Sequence, residues 1–249
     1  MKFLQHYSSS RSNLYEVVAD SGRRLLLECG IRWPKILQAI DFRLNGIDGC
    51  LLTHEHKDHS KAAGYLMSAG VNIYSSYRTF EALGLRGERR AVPVQEEQVF
   101  KVGEAFSVLP FGIRHDAVDP FGYVIHEIGT EEFIFFAPDS GFIEQDVKVL
   151  YKDEDKPRRI AYTIIAIECS FDGAILAKRE KEGTINSKVA KRILDFHAEK
   201  QTTMDYLEKY CDLSRCREIH LLHTSADNLD KRATRLEFEE RFYKTTVMK

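Results

Sequence analysis

Three imidazoles and one carboxylate lie within six consecutive residues of the chain, at His54, His56, Asp58 and His59. Imidazole nitrogens and carboxylate oxygens are ligands that Zn²⁺, Mn²⁺ and Fe²⁺ accept in proteins. Residues two apart in an extended segment point to the same side, so His54 and His56 can hold one ion. The turn that follows then directs Asp58 and His59 to a second ion. The spacing therefore predicts a loop that supplies ligands to two metal ions.

The alternative interpretation of this segment is an exposed polar loop whose histidines have no chemical role. A single histidine would favour that alternative. The complete pattern H-x-H-x-D-H directly after an apolar strand is far more specific, and it favours metal binding. Four ligands do not complete two coordination shells, so further ligands must come from elsewhere in the chain.

Three later residues are candidates to complete the two metal sites: His115, Asp139 and His223. Each follows an apolar segment that is typical of a strand, and each is expected on a short loop. Taken singly, each would more often be a surface residue without a function. Together with the loop at 54–59, they supply enough imidazoles and carboxylates for two ions.

The neighbouring elements place the histidine-rich loop between a strand and a helix. The apolar segment 49–53 predicts a short strand that ends immediately before the loop. After the loop, Ala63, Leu66 and Met67 recur at helical spacing, and Ser60 is a suitable residue to cap that helix. The metal-binding loop is therefore expected at a strand-to-helix connection.

Short apolar segments separated by turn residues predict a protein rich in strands. Further strands are expected at 2–6, 14–19, 24–28, 71–74, 91–94, 106–110, 122–128, 133–137, 162–168 and 218–222, and helices at 79–85, 185–196, 203–210 and 232–242. This order predicts two mostly antiparallel sheets packed together with helices outside, an αββα sandwich of the α/β (α+β) class. Since no linker-like segment divides the sequence, residues 1–249 are expected to form a single domain.

Cysteine usage and hydropathy indicate the compartment. Five cysteines, an odd number without regular spacing, predict buried thiols in a reducing compartment rather than a disulfide framework. Cys211 and Cys216 resemble half of a zinc knuckle, but no second pair completes it.

The apolar segments 47–53 and 162–167 are far shorter than the roughly 20 residues of a membrane-spanning helix. Residues 1–10 are too weakly apolar for a signal peptide. We therefore expect a cytoplasmic protein without a membrane partner.

The charges of the chain nearly balance, with 36 basic and 38 acidic residues and a formal net charge of -2. A protein that grips many phosphates is expected to be basic. The basic clusters at 86–90 and 178–181 are interrupted by glutamate and are interpreted as solvated surface. The composition therefore excludes the class of strongly basic nucleic-acid binders, and it favours a small charged ligand over a stable long nucleic-acid partner.

The motifs, in the order in which they occur, resemble those of the metallo-β-lactamase superfamily over almost the whole chain up to His223. Three further segments, SSSRSN at 8–13, LLLECG at 25–30 and HDAVDPFGY at 115–123, resemble its YycJ-like and tRNase Z-like phosphodiesterase branch. The resemblance implies two divalent transition-metal ions, Zn²⁺ or Mn²⁺. It implies that the first ion is bound by His54, His56 and His115, the second by Asp58, His59 and His223, and that both are bridged by Asp139.

One residue departs from the pattern of this branch. Where relatives usually have Asp at the end of the third strand, this chain has Glu28. Its carboxylate is expected to support the metal-binding loop rather than to bind metal.

Two residues are candidates for the group that protonates the leaving oxygen. One is Asp58, and the other is His197, which lies near the place where relatives carry a histidine. A histidine at a helix end is more often structural, which is the alternative for His197. The remaining histidines His6, His126 and His220 alternate with apolar neighbours, so we expect them to be sheet residues with hydrogen-bond partners.

The fold alone does not choose a substrate, because it supports thioester, lactam and phosphodiester hydrolysis. The resemblance favours phosphodiesters, and the chain lacks the long basic arm with which tRNA-processing relatives grip RNA. In size and motif order it resembles the phage anti-Pycsar phosphodiesterases, which degrade cyclic pyrimidine nucleotide signals of bacterial immunity. This implies hydrolysis of 3′,5′-cyclic CMP and UMP, with cyclic AMP and GMP accepted if the pocket is loose, by a homodimer. The alternatives are a YycJ-like DNA nuclease and a metal-binding module without turnover.

Overall fold

The structure, a computed structural model, describes residues 1–141, 143, 147–149 and 158–249. The chain forms two compact units. The first consists of Met1–Gly112 and Ala117–Glu132, and the second of Ile113–Asp116 and Phe133–Lys249. That residues 1–249 form a single domain stays a prediction.

A six-stranded sheet dominates the first unit. Its strands, in the order of the sheet and of the chain, are β1 (Lys2–Ser9), β2 (Ser12–Val18), β3 (Arg24–Leu27), β4 (Ile47–Leu51), β5 (Ile73–Ser75) and β6 (Ala91–Pro93). The first three strands are antiparallel, and β3 to β6 are parallel. Gly22, in the turn between β2 and β3, has a φ of 80°, which a residue without Cβ adopts without strain.

The helices of the first unit connect its parallel strands. They are α1 (Trp33–Ala39), α2 (Lys57–Ser60), α3 (Ala63–Ser68) and α4 (Tyr77–Ala82). Leu26, Cys50, Leu66, Ile73 and Phe80 belong to one buried cluster, in which apolar residues of β3, β4, β5, α3 and α4 meet. Burial of these side chains fixes the strand that leads into the histidine-rich loop.

The first unit also contains three antiparallel strands, β7 (Phe100–Val102), β8 (Phe106–Gly112) and β9 (Phe121–Glu127). The Tyr123 hydroxyl on β9 donates to the carbonyl of Leu52 at 2.8 Å. The backbone N–H of Phe121 donates to the carbonyl of Thr53 at 3.1 Å. These two hydrogen bonds fix the positions of Leu52 and Thr53, the residues just before the histidine-rich loop.

The second unit is built on four parallel strands, β10 (Phe133–Ala137), β13 (Ile164–Glu168), β14 (Glu218–Leu222) and β15 (Thr245–Met248). Two short strands, β11 (Lys148–Val149) and β12 (Arg158–Arg159), pair with each other. The helices are α5 (Gly173–Lys181), α6 (Ser187–Phe196), α7 (Lys200–Tyr210) and α8 (Lys231–Phe242). Because the parallel strands point the same way, their carboxyl ends lie at one edge.

The predicted strand and helix positions agree with the structure within a few residues, but the predicted strand directions do not. The sheets are mixed, so the expectation of mostly antiparallel sheets was wrong. The strands β10 and β13 are buried at every position, and such continuous apolar runs are typical of parallel strands. Ser60 was also misassigned: it ends α2, and its hydroxyl donates to the carbonyl of Glu55. The sequence did not predict the elements α1, α5, β7, β11, β12 and β15.

The prediction of buried thiols rather than a disulfide framework is confirmed. All five cysteines are buried thiols that form no disulfide. In the part of the chain that the structure describes, no helix combines the length and apolar character that a bilayer span requires.

Candidate metal centre

The histidine-rich loop begins after β4 and continues into the single turn of α2. The backbone N–H of His59 donates to the carbonyl of His56 at 2.9 Å, which closes this turn. His54 and His59 are fully buried, and His56 is half-buried. The local pattern of an apolar strand followed by polar residues therefore produces the predicted strand-to-helix connection.

Two imidazoles of this loop are already at the spacing of metal ligands. Nε2 of His54 lies 3.1 Å from Nδ1 of His56. The Thr53 hydroxyl lies 2.8 Å from Nδ1 of His54, which fixes that ring and leaves its Nε2 directed toward His56. A tetrahedral ion bound at about 2.0 Å places neighbouring ligand atoms roughly 3.3 Å apart, so the observed spacing fits one ion.

Asn13, at the start of β2, contacts the end of the same loop. Its Nδ2 lies 3.3 Å from both the carbonyl oxygen and Oδ2 of Asp58, and 3.1 Å from Nε2 of His59. The Tyr15 hydroxyl donates to Oδ1 of Asn13 at 2.9 Å and so orients the amide. Asn13 was not singled out in the sequence, although it closes the motif at 8–13.

Gly30 allows the loop backbone to approach β3. A Cβ added at Gly30 would lie 1.4 Å from the carbonyl oxygen of Asp58 and 2.6 Å from the backbone nitrogen of His59. No side chain fits at that distance. Glycine is therefore required at position 30 for the observed position of the loop.

Glu28 lies behind the loop. It is fully buried with a φ of 63°, and both of its carboxylate oxygens lie 3.4 Å from the backbone nitrogen of Thr53. Its Oε1 is 3.5 Å from Nδ1 of His59. This is the supporting position that was expected for Glu28, and its role in function stays a prediction.

The three predicted ligands of the second unit, His115, Asp139 and His223, lie close together. Nε2 of His115 lies 3.3 Å from Oδ2 of Asp139, and Nε2 of His223 lies 3.7 Å from the same oxygen. His223 directly follows β14 and has a φ of 50°, and Asp139 follows β10 by two residues. The carboxyl ends of the parallel strands thus place these side chains at one edge.

Glu168, the last residue of β13, is a member of this cluster that the sequence analysis missed. Its Oε1 lies 2.7 Å from Nδ1 of His197 and 3.3 Å from Nδ1 of His223, and its Oε2 accepts from the backbone N–H of Ser140 at 2.6 Å. A glutamate that ends the otherwise apolar strand IIAIE was the signal that could have identified it.

His197 follows the last residue of α6 and joins the same cluster. Its Nδ1 is 3.0 Å from Oδ1 of Asp139, and its ring stacks on His223 with the ring centroids 5.1 Å apart. His197 therefore belongs to the cluster, and its role as a proton donor rather than a structural histidine stays a prediction.

The carboxylates of the second unit change the protonation of its histidines. Burial alone would lower the pKa of His197, but the charge of Glu168 and hydrogen bonds to Asp139 and Glu168 raise it to about 11. Burial would raise the pKa of Glu168, and the charge of His197 instead lowers it. Burial lowers the pKa of His115, despite the opposing charge of Asp139. At neutral pH, His197 therefore carries a proton and His115 is the neutral imidazole that metals bind.

The donor chemistry of the second unit also fits a transition-metal ion. One possible ligand atom from each of Asp139, Glu168 and His223 lies within 4.8 Å of every other, and the charged ring of His197 lies beside them as a hydrogen-bond donor. Buried imidazoles and carboxylates at this density match the residue types that hold Zn²⁺ or Mn²⁺.

The predicted ligands therefore occur in two groups. The first unit holds His54, His56, Asp58 and His59 together, and the second holds His115, Asp139 and His223. That the seven residues share two ions stays a prediction. The three histidines that were left out have the expected partners: His6 contacts Glu16, His126 the carbonyl of Thr130, and His220 Glu218.

The chain is similar in sequence to two proteins named exodeoxyribonuclease and to an anti-Pycsar protein. The chain is 27% identical over 155 residues to the exodeoxyribonuclease YycJ of Bacillus anthracis, covering 58% of this chain and 56% of that protein. It is 24% identical over 231 residues to the exodeoxyribonuclease WalJ of Streptococcus pneumoniae (strain ATCC BAA-255 / R6), covering 88% and 80%. It is 51% identical to the anti-Pycsar protein Apyc1 of Bacillus phage 010DV004, but over only 40 residues, 16% of each chain.

Solved structures match nearly the whole fold. The metallo-β-lactamase fold protein YhfI from Bacillus subtilis has a TM-score of 0.70 at 14% identity, covering 99% of this chain and 95% of that one. The short form of human tRNase Z has a TM-score of 0.59 at 18% identity, covering 91% and 93%. At these identities the likeness concerns the fold.

The sequence match to a family agrees with the fold. The model of the beta-lactamase superfamily domain matches residues 23–156, a segment that contains the histidine-rich loop, His115 and Asp139. The chain belongs to this superfamily, as a hydrolase-family member with the mixed α/β metallo-β-lactamase fold.

Proposed function

We propose that the protein is a two-metal phosphodiesterase. The observation that carries the proposal is the paired geometry of buried imidazoles and carboxylates: His54 and His56 at 3.1 Å in the first unit, and His115 and Asp139 at 3.3 Å in the second. Such sets of nitrogen and oxygen donors are typical of hydrolytic metal sites. A surface loop without function would not bury them.

The ligand assignment within this proposal follows the superfamily pattern. A first ion would be held by His54, His56 and His115, a second by Asp58, His59 and His223, and both by Asp139. When bound, such ions lower the pKa of water and neutralise charge on phosphate oxygens.

The protein's own residues supply positioning and a proton. Glu168 orients His197 and His223 through Nδ1 of each ring. Nδ1 of His197 lies 2.7 Å from Oε1 of Glu168 and 3.0 Å from Oδ1 of Asp139, and these carboxylates favour the charged ring, in which Nε2–H is a second donor. We assign to that N–H the protonation of the leaving oxygen. Asp58 is the other candidate, and its contacts with Asn13 and His59 hold its carboxylate in place.

The substrate that we propose is a 3′,5′-cyclic mononucleotide, cyclic CMP or cyclic UMP first, with cyclic AMP and GMP accepted if the pocket is loose. A net charge of -2 provides few cations for a long polyanion, whereas a small ligand needs only its one phosphate bound. The short match to Apyc1 supports this choice, because that protein's name links it to the Pycsar immune system. Evasion of that system is the biological role that would follow.

A second candidate is DNA hydrolysis, and one observation favours it. The relative named exodeoxyribonuclease WalJ matches 88% of this chain, a far longer stretch than the match to Apyc1. Both candidate functions are hydrolysis of a phosphodiester. They differ in the substrate, which is a single cyclic nucleotide in the first and a DNA strand in the second.

One panel of assays separates the candidates. Purified protein is incubated with the four cyclic mononucleotides, single-stranded DNA and precursor tRNA, with Zn²⁺ and Mn²⁺ supplied separately. We expect linear monophosphates from cyclic CMP and UMP, and no product with the variant His56→Ala. Faster cleavage of single-stranded DNA per bond than of any cyclic mononucleotide would replace the first candidate by the second. Absence of turnover on all substrates would leave a metal-binding module.

The proposal includes a cytoplasmic location, as the cysteine usage indicates, and a homodimer, as the resemblance implies. Light scattering coupled to size-exclusion chromatography tests it, and a mass near the 28.7 kDa of one chain would contradict it.

A further inference from the structure

Arg192 on α6 is held against the candidate metal site by Asp116. Nε and Nη2 of Arg192 lie 2.9 and 2.8 Å from the same carboxylate oxygen, Oδ2 of Asp116. The Arg192 side chain is 60% exposed and that of Asp116 is 24% exposed. The arginine is therefore ordered at its guanidinium while it remains accessible to a ligand.

The other oxygen of Asp116 connects this arginine to a candidate ligand. Oδ1 of Asp116 lies 3.1 Å from Nε2 of His115, the same nitrogen that faces Asp139. Only one carboxylate group thus separates the Arg192 guanidinium from the ring of His115. The backbone carbonyl of Phe196, at the end of α6, lies 3.3 Å from Nδ1 of His115 and ties this helix to the same ring.

The carboxylates of the second unit would repel an anionic substrate, so a cation beside them would favour substrate binding. Asp116, Asp139 and Glu168 bring three carboxylates to the cluster, and a phosphodiester is itself an anion. Like charges repel at short distance unless cations compensate them. A guanidinium binds phosphate oxygens with directed hydrogen bonds, and Asp116 engages only two of its five N–H groups.

We propose that Arg192 binds a non-bridging oxygen of the substrate phosphodiester, with Asp116 as the positioning residue that holds the guanidinium. This inference rests on the proposed phosphodiesterase function but does not depend on whether the substrate is a cyclic nucleotide or DNA. Because Asp116 orders the side chain in advance, little of its conformational freedom is lost when the phosphate binds.

The test uses bis(p-nitrophenyl) phosphate, a phosphodiester without a base or sugar, and the metal-loaded full chain. Arg192→Met keeps much of the side-chain length and removes the charge. We expect KM to rise about tenfold, as for loss of a charge-assisted hydrogen bond, with kcat changed less than about threefold. Arg192→Lys is expected to recover part of the affinity, because lysine restores the charge without the paired N–H donors of the planar guanidinium. The matched control is Lys191→Met, an equal charge loss at the exposed neighbouring position of α6.

A binding measurement makes the result independent of turnover. Calorimetric titration of the same proteins with inorganic phosphate should show a dissociation constant about tenfold higher for Arg192→Met, and unchanged for Lys191→Met. Metal content, measured by mass spectrometry, should equal that of the wild type.

Three results would overturn the inference. One is an unchanged KM and phosphate affinity in Arg192→Met, and another is an equal loss in Lys191→Met. The third is loss of bound metal in Arg192→Met, because the arginine would then act through Asp116 on His115 rather than on the phosphate. If the protein hydrolyses no phosphodiester, the proposed function fails, and the phosphate titration still decides the role of Arg192.

Discussion

Glu168 and His197 form a buried ion pair in which Oε1 lies 2.7 Å from Nδ1. The same oxygen is 3.3 Å from Nδ1 of His223. One carboxylate thus orients two imidazoles that come from different elements, and a ring held through one nitrogen presents the other in a fixed direction.

Replacement of this carboxylate should therefore lower activity. Glu168→Gln keeps the side-chain volume but removes the charge, and we expect the hydrolysis rate to fall about 10- to 100-fold. The pKa of His197 should fall in the same variant, because the charge of Glu168 is a main cause of its rise. Steady-state kinetics and NMR titration of the histidine ring measure the two effects. Glu180→Gln on the exposed side of α5 is the control, and a similar loss there would contradict the assignment.

The raised pKa of His197 also predicts a pH-dependent stability of the metal-free protein. A histidine with a pKa of about 11 in the folded state and an ordinary value when unfolded stabilises the fold fully below pH 6.5. That contribution falls as the pH rises from 6.5 through 11. His197→Gln should therefore destabilise the protein most at pH 6 and progressively less at pH 8 and 10. Chemical unfolding of chelator-treated samples gives the free energies, and a difference independent of pH would refute the assignment.

The close approach at Gly30 predicts a defect from one added methyl group. Gly30→Ala would place Cβ against the carbonyl of Asp58, so the loop must move. We expect a loss of about 1–3 kcal/mol in the free energy of unfolding, together with weaker metal binding. Gly64→Ala is the matched control, since a Cβ there meets no atom within 4 Å. Thermal unfolding and metal analysis compare the two, and equal behaviour would show that the loop tolerates the displacement.

Removal of metal should abolish hydrolysis and lower stability. We expect close to two transition-metal ions per chain, and loss of nearly all turnover in Asp139→Ala, because Asp139 contacts His115, His197 and His223. The double variant His59→Ala with His223→Ala should empty mainly one site. Elemental analysis before and after chelation tests this, and full activity in a metal-free preparation would end the metal proposal.

A conservative change at Glu28 should be tolerated. Glu28→Asp retains a carboxylate behind the loop, and we expect activity within about tenfold of the wild type. The shorter side chain lengthens contacts to Thr53 and His59 that are already 3.4 and 3.5 Å. A loss as large as that of Asp139→Ala would indicate that Glu28 does more than support the loop.

The loop at 54–59 could be predicted from sequence because its ligands are close along the chain and follow a strand directly. Glu168 was missed, since its one local signal is a charged residue at the end of an apolar strand, and its partners His197 and His223 lie far along the chain. Arg192 and Asp116 are likewise separated by 76 residues. The strand directions were mispredicted because the expectation rested on the order of strands and helices and not on the continuous apolar runs of β10 and β13, which are typical of parallel strands buried on both faces.

The parallel pairing that presents Asp139, Glu168 and His223 has a consequence for how the chain acquires metal during synthesis. The strand β10 pairs with β13 and β13 with β14, and long segments of chain lie between them. Such non-local pairs form late, because the entropy of closing the intervening chain must be overcome first. The nascent chain therefore does not bring His223 to Asp139 and Glu168 until β14 has emerged and paired. If these residues bind metal as proposed, a complete set of ligands is available only after the native strand pairing has formed.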